Sequence, residues 1–225
     1  MRAARSASVR VRLVAALALG AAGWPGPVPA LDAGIELPGC SMDAELAAAL
    51  IEPPQLGREC GTDAACWRDG LERAREVRDR FAAAYDAHRA YVLDVRAAAK
   101  VLGNEVIEEA AAEYRRRAEE HPDHPAYRHL LAQMASEGED YRRELDALTR
   151  EFPGYPWAHL SAAFQARGGF PEDLAARAEE GLERFVEICP ERLVEIGRAV
   201  QFLGGADGAE ERLATLRAEA VARGD

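Results

Sequence analysis

The feature that most constrains the fold is a regular alternation of two kinds of helix-breaking turn. Four glycine-bearing turns step along the chain by 35, 30 and 36 residues: Gly103, Gly138, Gly168 and Gly204. Three proline-bearing turns lie between them at steps of 31 and 37 residues: Pro122, Pro153 and Pro190. Both series have a mean period of about 34 residues. This period predicts stacked helical hairpins, because a hairpin cannot bury its apolar face alone and must pack on the next one.

The segments between these turns have the composition of helices. From Thr62 onward the chain consists of long runs of Ala, Arg, Glu and Leu, and no stretch alternates apolar and polar residues as a strand would. Pro171 falls in the first turn of its segment, where a helix tolerates proline, and Asp207 with Glu210 predicts a capping pair. We therefore predict an all-α fold, in which the second helices of the hairpins span 104–120, 139–151, 171–188 and 207–222.

The units can be aligned with one another. The segment HPDHPAYRHLLAQM at 121–134 and the segment FPGYPWAHLSAAFQ at 152–165 share two prolines at the same spacing, followed by an aromatic residue and an apolar helix. The segment CPERLVEIGRAVQFL at 189–203 keeps only the first proline. With Leu131-Ala132 in its first helix, large apolar residues in its second helix and a proline at its end, this unit resembles the tetratricopeptide repeat (TPR).

The resemblance covers roughly residues 87–203, with one helix on each side as a cap. It implies a right-handed superhelical stack of antiparallel helix hairpins, which is a TPR-like α-solenoid, in a protein of the exported bacterial type. A stack of this kind presents a concave groove lined by the first helices of its hairpins. The resemblance therefore implies that the chain binds a protein or a peptide.

The N-terminus predicts export. Residues 1–30 contain four arginines, an apolar run at 13–22 and a small-residue cleavage signal at 28–30, as a secretory signal peptide does. The apolar run is too short to span a bilayer, which takes about 20 residues, so we expect no membrane contact after cleavage. The sequence at 37–40 resembles a lipobox, although it lies far beyond the apolar run. We predict a Pro/Gly-rich segment at 31–61 with one short helix at 41–51 that begins at Ser41, and then the TPR-like domain at 62–225.

The charge of the mature chain excludes one large class of partner. Cleavage after Ala30 removes four arginines and no acidic residue, which leaves 39 acidic against 24 basic residues and a net charge of −15. Nucleic acid is not expected as a partner, because its binding depends on clustered Lys and Arg. We expect a periplasmic or secreted protein. No feature of the sequence specifies an oligomeric state.

The mature chain has four cysteines, and in an exported protein an even number predicts disulfides. Cys60 and Cys66 flank a segment in which Thr62 or Asp63 can cap a helix, so we favour their pairing at the start of that helix. Cys40 and Cys189 then either pair across the sequence or stay reduced. There is no C-x-x-C motif, which a thioredoxin-type site requires.

The stretch EEHPDHPAYRHL at 119–130 is the strongest metal candidate, because His121, His124, His129 and Asp123 offer ligands that zinc accepts. The alternative is a turn between two helices. In the next unit the prolines recur, whereas three of the polar positions do not: His121, Asp123 and His124 align with Phe152, Gly154 and Tyr155. We therefore favour the turn, and we expect no metal and no cofactor.

No G-x-S-x-G, H-E-x-x-H or glycine-rich phosphate loop is present, so we expect no catalytic residues. The hypothesis is a non-enzymatic, exported helical-repeat module that binds a protein or peptide in the cell envelope. The alternatives are a thiol redox protein and a metal-dependent enzyme that uses residues 121–129. In the repeat register seven residues lie on or near the groove, although Trp157 and Phe164 could instead fill the core: Tyr91, Asp94, His129, Gln133, Trp157, Phe164 and Gln201.

Overall fold

A computed structural model describes residues 34–36, 39–51, 59–135, 138–164, 172–204, 215 and 218. Within these residues the fold is all-α, as predicted, with nine helices and no strand. The helices are α1 (Ala44–Ile51), α2 (Ala64–Arg80), α3 (Tyr85–Leu102), α4 (Glu105–Glu120), α5 (Pro125–Met134), α6 (Glu139–Glu151), α7 (Pro156–Ala163), α8 (Glu172–Ile188) and α9 (Leu193–Gly204).

Three of the predicted second helices are confirmed, since α4, α6 and α8 agree with the predicted bounds to within one residue. The predicted signal peptide, the glycine turn at 168–169 and nearly all of the helix predicted at 207–222 lie outside the described residues. In the part of the chain that the structure describes, no helix has both the length and the apolar composition needed to cross a bilayer.

Local side-chain chemistry explains where several helices begin. The Asp63 carboxylate accepts hydrogen bonds from the amides of Ala65 and Cys66, so the predicted cap of α2 is confirmed. At α1 the cap is Asp43 and not Ser41, because the Asp43 carboxylate lies 2.8 Å from the Glu45 amide nitrogen. Helices α5 and α7 both begin with a proline, whose missing N–H costs nothing in a first turn.

The helices that precede α3, α5, α7 and α9 all end in the same kind of turn. In each turn the amide of the fourth residue donates a hydrogen bond to the carbonyl of the first. The four turns are 81–84, 121–124, 152–155 and 189–192, with N···O distances of 2.8, 3.0, 2.9 and 3.2 Å. His121 and Phe152, which occupy equivalent positions, have nearly the same backbone angles, with φ and ψ of −132° and 65° against −129° and 67°. The turn at 81–84 contains no proline, so the sequence pattern missed it.

Consecutive helices from α2 to α9 pack against each other, and α3 also contacts α5, as α7 contacts α9. One large apolar cluster runs through these helices, and a smaller cluster around Cys60, Trp67 and Ala98 lies at the start of α2. Helices α7 and α8 approach very closely, because Gly181 has no side chain: a Cβ there would lie 2.7 Å from the carbonyl oxygen of His159. The large cluster is therefore continuous across the helix pairs.

Residues 34–36 and Cys40, which belong to the described part of the N-terminal segment, contact the helices. The Ile35 side chain is buried in the large cluster, and the Ile35 amide donates a hydrogen bond of 2.9 Å to the Tyr127 hydroxyl. The Glu36 amide donates to the carbonyl of Ala83 in the first turn. Cys40 forms a disulfide with Cys189, the first residue of the fourth turn. The N-terminal segment thus connects the first turn, helix α5 and the fourth turn.

Candidate functional site

A groove of about 600 Å³ lies between α4, α5 and α6. Its apolar lining comes from half-buried Ile107 and Leu131, from Met134, and from three alanines. Asn104, at the end of the α3–α4 connection, lies at one end. The charged side chains that line it come from all three helices: Glu108, Arg115, Arg128, Asp140 and Glu144. An apolar floor with a charged rim is the usual anatomy of a surface that binds another polypeptide.

Ion pairs join α5 to α6 beside the groove. Arg128 donates to Glu144 at 2.8 Å and to Glu151 at 2.5 Å, so one guanidinium fixes two turns of α6 against α5. Gly138, the residue before α6, has a φ of 151°, a value that favours glycine.

Two of the predicted groove residues, His129 and Gln133, are instead buried in a polar network between α3, α5 and α7. The Nδ1 atom of His129 lies 2.7 Å from the Tyr85 hydroxyl and 3.1 Å from the Tyr155 hydroxyl, and its Nε2 atom lies 2.8 Å from Ser161 Oγ. Gln133 Nε2 lies 3.4 Å from the same Ser161 oxygen. This arrangement suits a neutral imidazole that accepts at Nδ1 and donates at Nε2.

The chemistry of this network is that of a packed interior. Burial lowers the pKa of His129 to about 3, and the positive charge of Arg89 contributes to the shift. Burial raises the pKa of Tyr85 and of Tyr155 above their usual value. An imidazole with so low a pKa is a weak base, so the contact between His129 and Ser161 does not supply an activated serine nucleophile.

Trp157 lies in the core, which is the alternative that the sequence left open. Its side chain is 1% exposed and packs against Tyr85 and Phe185, with ring centroids 5.2 and 5.7 Å away. The guanidinium carbons of Arg89 and Arg192 lie 4.9 and 5.0 Å from its ring centroid. A side chain enclosed in this way has no free surface for a partner.

The remaining predicted groove residues are scattered. Tyr91 is buried and faces α2, where Arg78 lies 4.6 Å from its ring centroid. Asp94 occupies the same side of α3, and desolvation raises its pKa to about 6. Phe164 is half-buried and contacts the ring of Phe202 at 5.4 Å, whereas Gln201 is exposed on α9. The structure therefore does not bring the seven residues together on one surface.

The histidines of the 119–130 stretch do not form a common site. His121 and His124 both lie against the ring of Tyr127, at centroid distances of 5.7 and 4.8 Å, whereas His129 points into the buried network. Partial burial lowers the pKa of His124. Among the described residues no group of three or more His, Cys, Asp or Glu side chains could hold a metal ion.

All four cysteines form disulfides, and the favoured pairing is confirmed. Cys60 and Cys66 are joined at the start of α2, with Cα atoms 5.3 Å apart. Cys40 and Cys189 are joined across 149 residues, with Cα atoms 5.0 Å apart. Of the two outcomes left open for Cys40 and Cys189, the structure has the paired one.

The sequence interpretation missed the residues that line the groove. The sequence pattern assigns Leu131 to the first helix of a repeat, but nothing in its spacing shows that it faces the same space as Tyr141 on α6. A usable signal was the alanine-rich surface of α4 and α5, because small residues beside Ile107 and Met134 leave room between helices. Comparison of the chain with protein-family models, curated proteins and solved structures found no match.

Proposed function

We propose that this chain is a non-enzymatic, exported module of TPR-like helix hairpins in a right-handed superhelical stack, and that it binds a protein or peptide in the cell envelope. The observation that carries the proposal is the groove between α4, α5 and α6, with its apolar floor and charged rim. The groove has the composition of a peptide-binding surface.

Two further observations support the proposal. Four turns with the same hydrogen bond recur along the chain, as expected of a stack built from repeated units. Two disulfides suit an oxidising compartment such as the periplasm or the extracellular space. Since both disulfides include buried or half-buried sulfurs, they favour a structural role for the cysteines over the redox alternative.

The experiment uses two variants that add the same side chain inside and outside the groove. Ala135 is exposed and lines the groove, whereas Ala112 is exposed on α4 and does not line it. Because neither alanine is buried, Ala135→Arg and Ala112→Arg should leave the fold unchanged, as circular dichroism and thermal unfolding will show. The mature chain and both variants are then used to capture proteins from an envelope extract of the native host.

The expected result is a protein that the unmodified chain and Ala112→Arg retain and that Ala135→Arg loses. Direct titration of that purified protein should give a dissociation constant at least about tenfold weaker for Ala135→Arg, since an arginine in a packed contact costs about 1–3 kcal/mol. Equal retention by both variants would contradict the groove assignment. Trp157→Ala is not a suitable probe, because Trp157 is buried and its loss would test the core.

A further inference from the structure

One face of α3 is basic in an otherwise acidic protein. Arg89, Leu93, Arg96 and Lys100 follow one another at intervals of four, three and four residues, which places them on one face of the helix. We call these four residues the basic stripe. Leu93 is 41% exposed, and Lys100 is the only lysine of the chain. The stripe spans roughly 16 Å at 1.5 Å per residue.

Among the described residues, the cations of the stripe have no carboxylate partner. Nine other arginines of the described residues form ion pairs with Asp or Glu, as the excess of acidic residues leads one to expect. In the same part of the chain no ion pair includes Arg89, Arg96 or Lys100. The two acids of α3 are not available to them, since Asp86 pairs with Arg192 and Asp94 occupies the side that faces α2.

The basic stripe leads to the groove along the chain, because Lys100 lies four residues before Asn104, which lines the groove. Tyr141 lines the groove, and its pKa is raised by burial and is drawn down again by contact with Ser161 and by the positive charges of Arg96 and Arg89. Both guanidiniums are therefore within electrostatic reach of a groove residue. Asn104, which follows α3, also lines the groove. A ligand that lies in the groove can thus extend along α3.

We propose that the segment bound by this protein is acidic, with carboxylates placed against Arg96 and Lys100 and an apolar side chain placed against Leu93, while Arg89 lies over the buried ring of Trp157 and adds positive charge at the end of the stripe. The proposal rests on the proposed function, because it names the chemistry of the partner of that same groove. Arginine binds carboxylates with particular strength through paired hydrogen bonds, and an exposed leucine between two cations supplies an apolar contact at the same register.

The charge of the whole protein favours a short acidic segment over other anions. Outside the basic stripe the surface carries a large excess of carboxylates, and exposed charges act over about 8–10 Å at physiological salt. A nucleic acid or an anionic membrane extends far beyond that distance and would meet the acidic surroundings. An acidic peptide of about ten residues can contact the stripe and the groove alone.

The test uses charge reversal at the stripe with a matched control. Arg96→Glu/Lys100→Glu reverses two charges of the stripe, and Arg68→Glu/Arg73→Glu reverses two exposed, unpaired charges on α2. The probes are fluorescein-labelled peptides of Glu, Asp, Ser and Leu, with lysine counterparts that keep Leu at the same positions. Single-stranded DNA, anionic phospholipid vesicles and self-association are measured in parallel.

The expected result is binding of acidic peptides, weakened at least about tenfold by Arg96→Glu/Lys100→Glu and less than about twofold by the α2 control, with affinity that falls as salt rises. The inference is overturned if no acidic peptide binds, if lysine peptides bind as well, or if the stripe variant has no effect. It is also overturned if the stripe binds DNA, vesicles or a second copy of the chain more tightly than the peptides. If Ala135→Arg loses a captured host protein but the chain shows no preference for acidic peptides, this inference is wrong and the proposed function still stands.

Discussion

The two disulfides close loops of very different size in regions of very different construction. The clasp, which we define as the Cys40–Cys189 disulfide with the Asp86–Arg192 ion pair, joins positions 149 residues apart beside the large apolar cluster. The staple, which we define as the Cys60–Cys66 disulfide with Trp67, closes a loop of six residues beside the small cluster. The same bond therefore organises the whole fold in one place and one helix start in the other.

The neighbours of each disulfide show the same difference. Arg192 donates to the Cys40 carbonyl and to Asp86, both at 2.5 Å, and lies over Trp157, so the clasp links the N-terminal segment, α3, α7 and α9. At the staple, Trp67 Nε1 donates to the nearby Gly61 carbonyl at 2.9 Å, six residues away. We therefore expect a disulfide to contribute more to stability when the residues around it connect parts of the chain that are distant in sequence.

The largest expected effect comes from removing each disulfide in turn. Because the entropy of the unfolded chain rises with the size of the loop that a disulfide closes, Cys40→Ser/Cys189→Ser should lower the free energy of unfolding by about 5 kcal/mol and Cys60→Ser/Cys66→Ser by about 2 kcal/mol. Urea unfolding of both variants and the parent, with the slopes compared, measures the difference. Equal losses would mean that the size of the closed loop does not determine how much each disulfide contributes to stability.

The buried ion pair of the clasp gives the next test. Arg192→Ala leaves the Asp86 carboxylate buried without its partner, and we expect a loss of about 3 kcal/mol in the free energy of unfolding. Arg116→Ala removes an exposed pair with Glu120 on α4 and should cost less than about 0.5 kcal/mol.

The double variant Asp86→Ala/Arg192→Ala shows where the loss arises. If most of it comes from the unpaired carboxylate, removal of that carboxylate should restore part of the stability. A double variant that is less stable than Arg192→Ala would show instead that Asp86 contributes to folding independently of Arg192.

The contrast between clasp and staple also marks what the sequence could predict. The staple was predictable, because both cysteines and the Asp63 cap lie within one short stretch. The clasp remained one of two open outcomes, because nothing local records that Cys40 meets Cys189. Helix ends were predictable for the same reason, because a proline or glycine affects the backbone of the turn in which it lies.

The exposed face of each helix was the least predictable part, because it depends on how the helix is rotated about its own axis. On α3 the sequence offered Tyr91 and Asp94, whereas the exposed face carries Leu93. Both faces of α3 contain apolar residues, and packing against α2 and α5 determines which face is buried. The intervals between the turns vary by several residues, so they do not predict this rotation. A strict repeat would have fixed the rotation, and this chain has none.

Acid should weaken the interior next to the clasp, where His129 lies. Its folded pKa of about 3 is far below the ordinary value of 6.5, so the unfolded chain binds a proton that the folded chain does not. This stability is complete above pH 6.5 and is lost as the pH falls toward 3, with a loss of about 2 kcal/mol at pH 5. Between pH 7 and pH 5, the free energy of unfolding should fall by about 2 kcal/mol more in the parent than in His129→Gln. An equal fall in the two proteins would mean that the pKa of His129 in the folded protein is close to its ordinary value.

Asp94, on the side of α3 that carries Ala98 of the small cluster, should respond to pH in the opposite direction. Its folded pKa of about 6 lies above the ordinary 3.8, so the folded chain holds a proton that the unfolded chain has released. The resulting penalty is present above pH 6, decreases as the pH falls, and is absent below 3.8. Asp94→Asn should therefore be more stable than the parent at pH 7, on the order of 1 kcal/mol, since the carboxylate keeps some solvent. The advantage should disappear at pH 4, and an advantage that persists there would show that the amide acts through packing and not through charge.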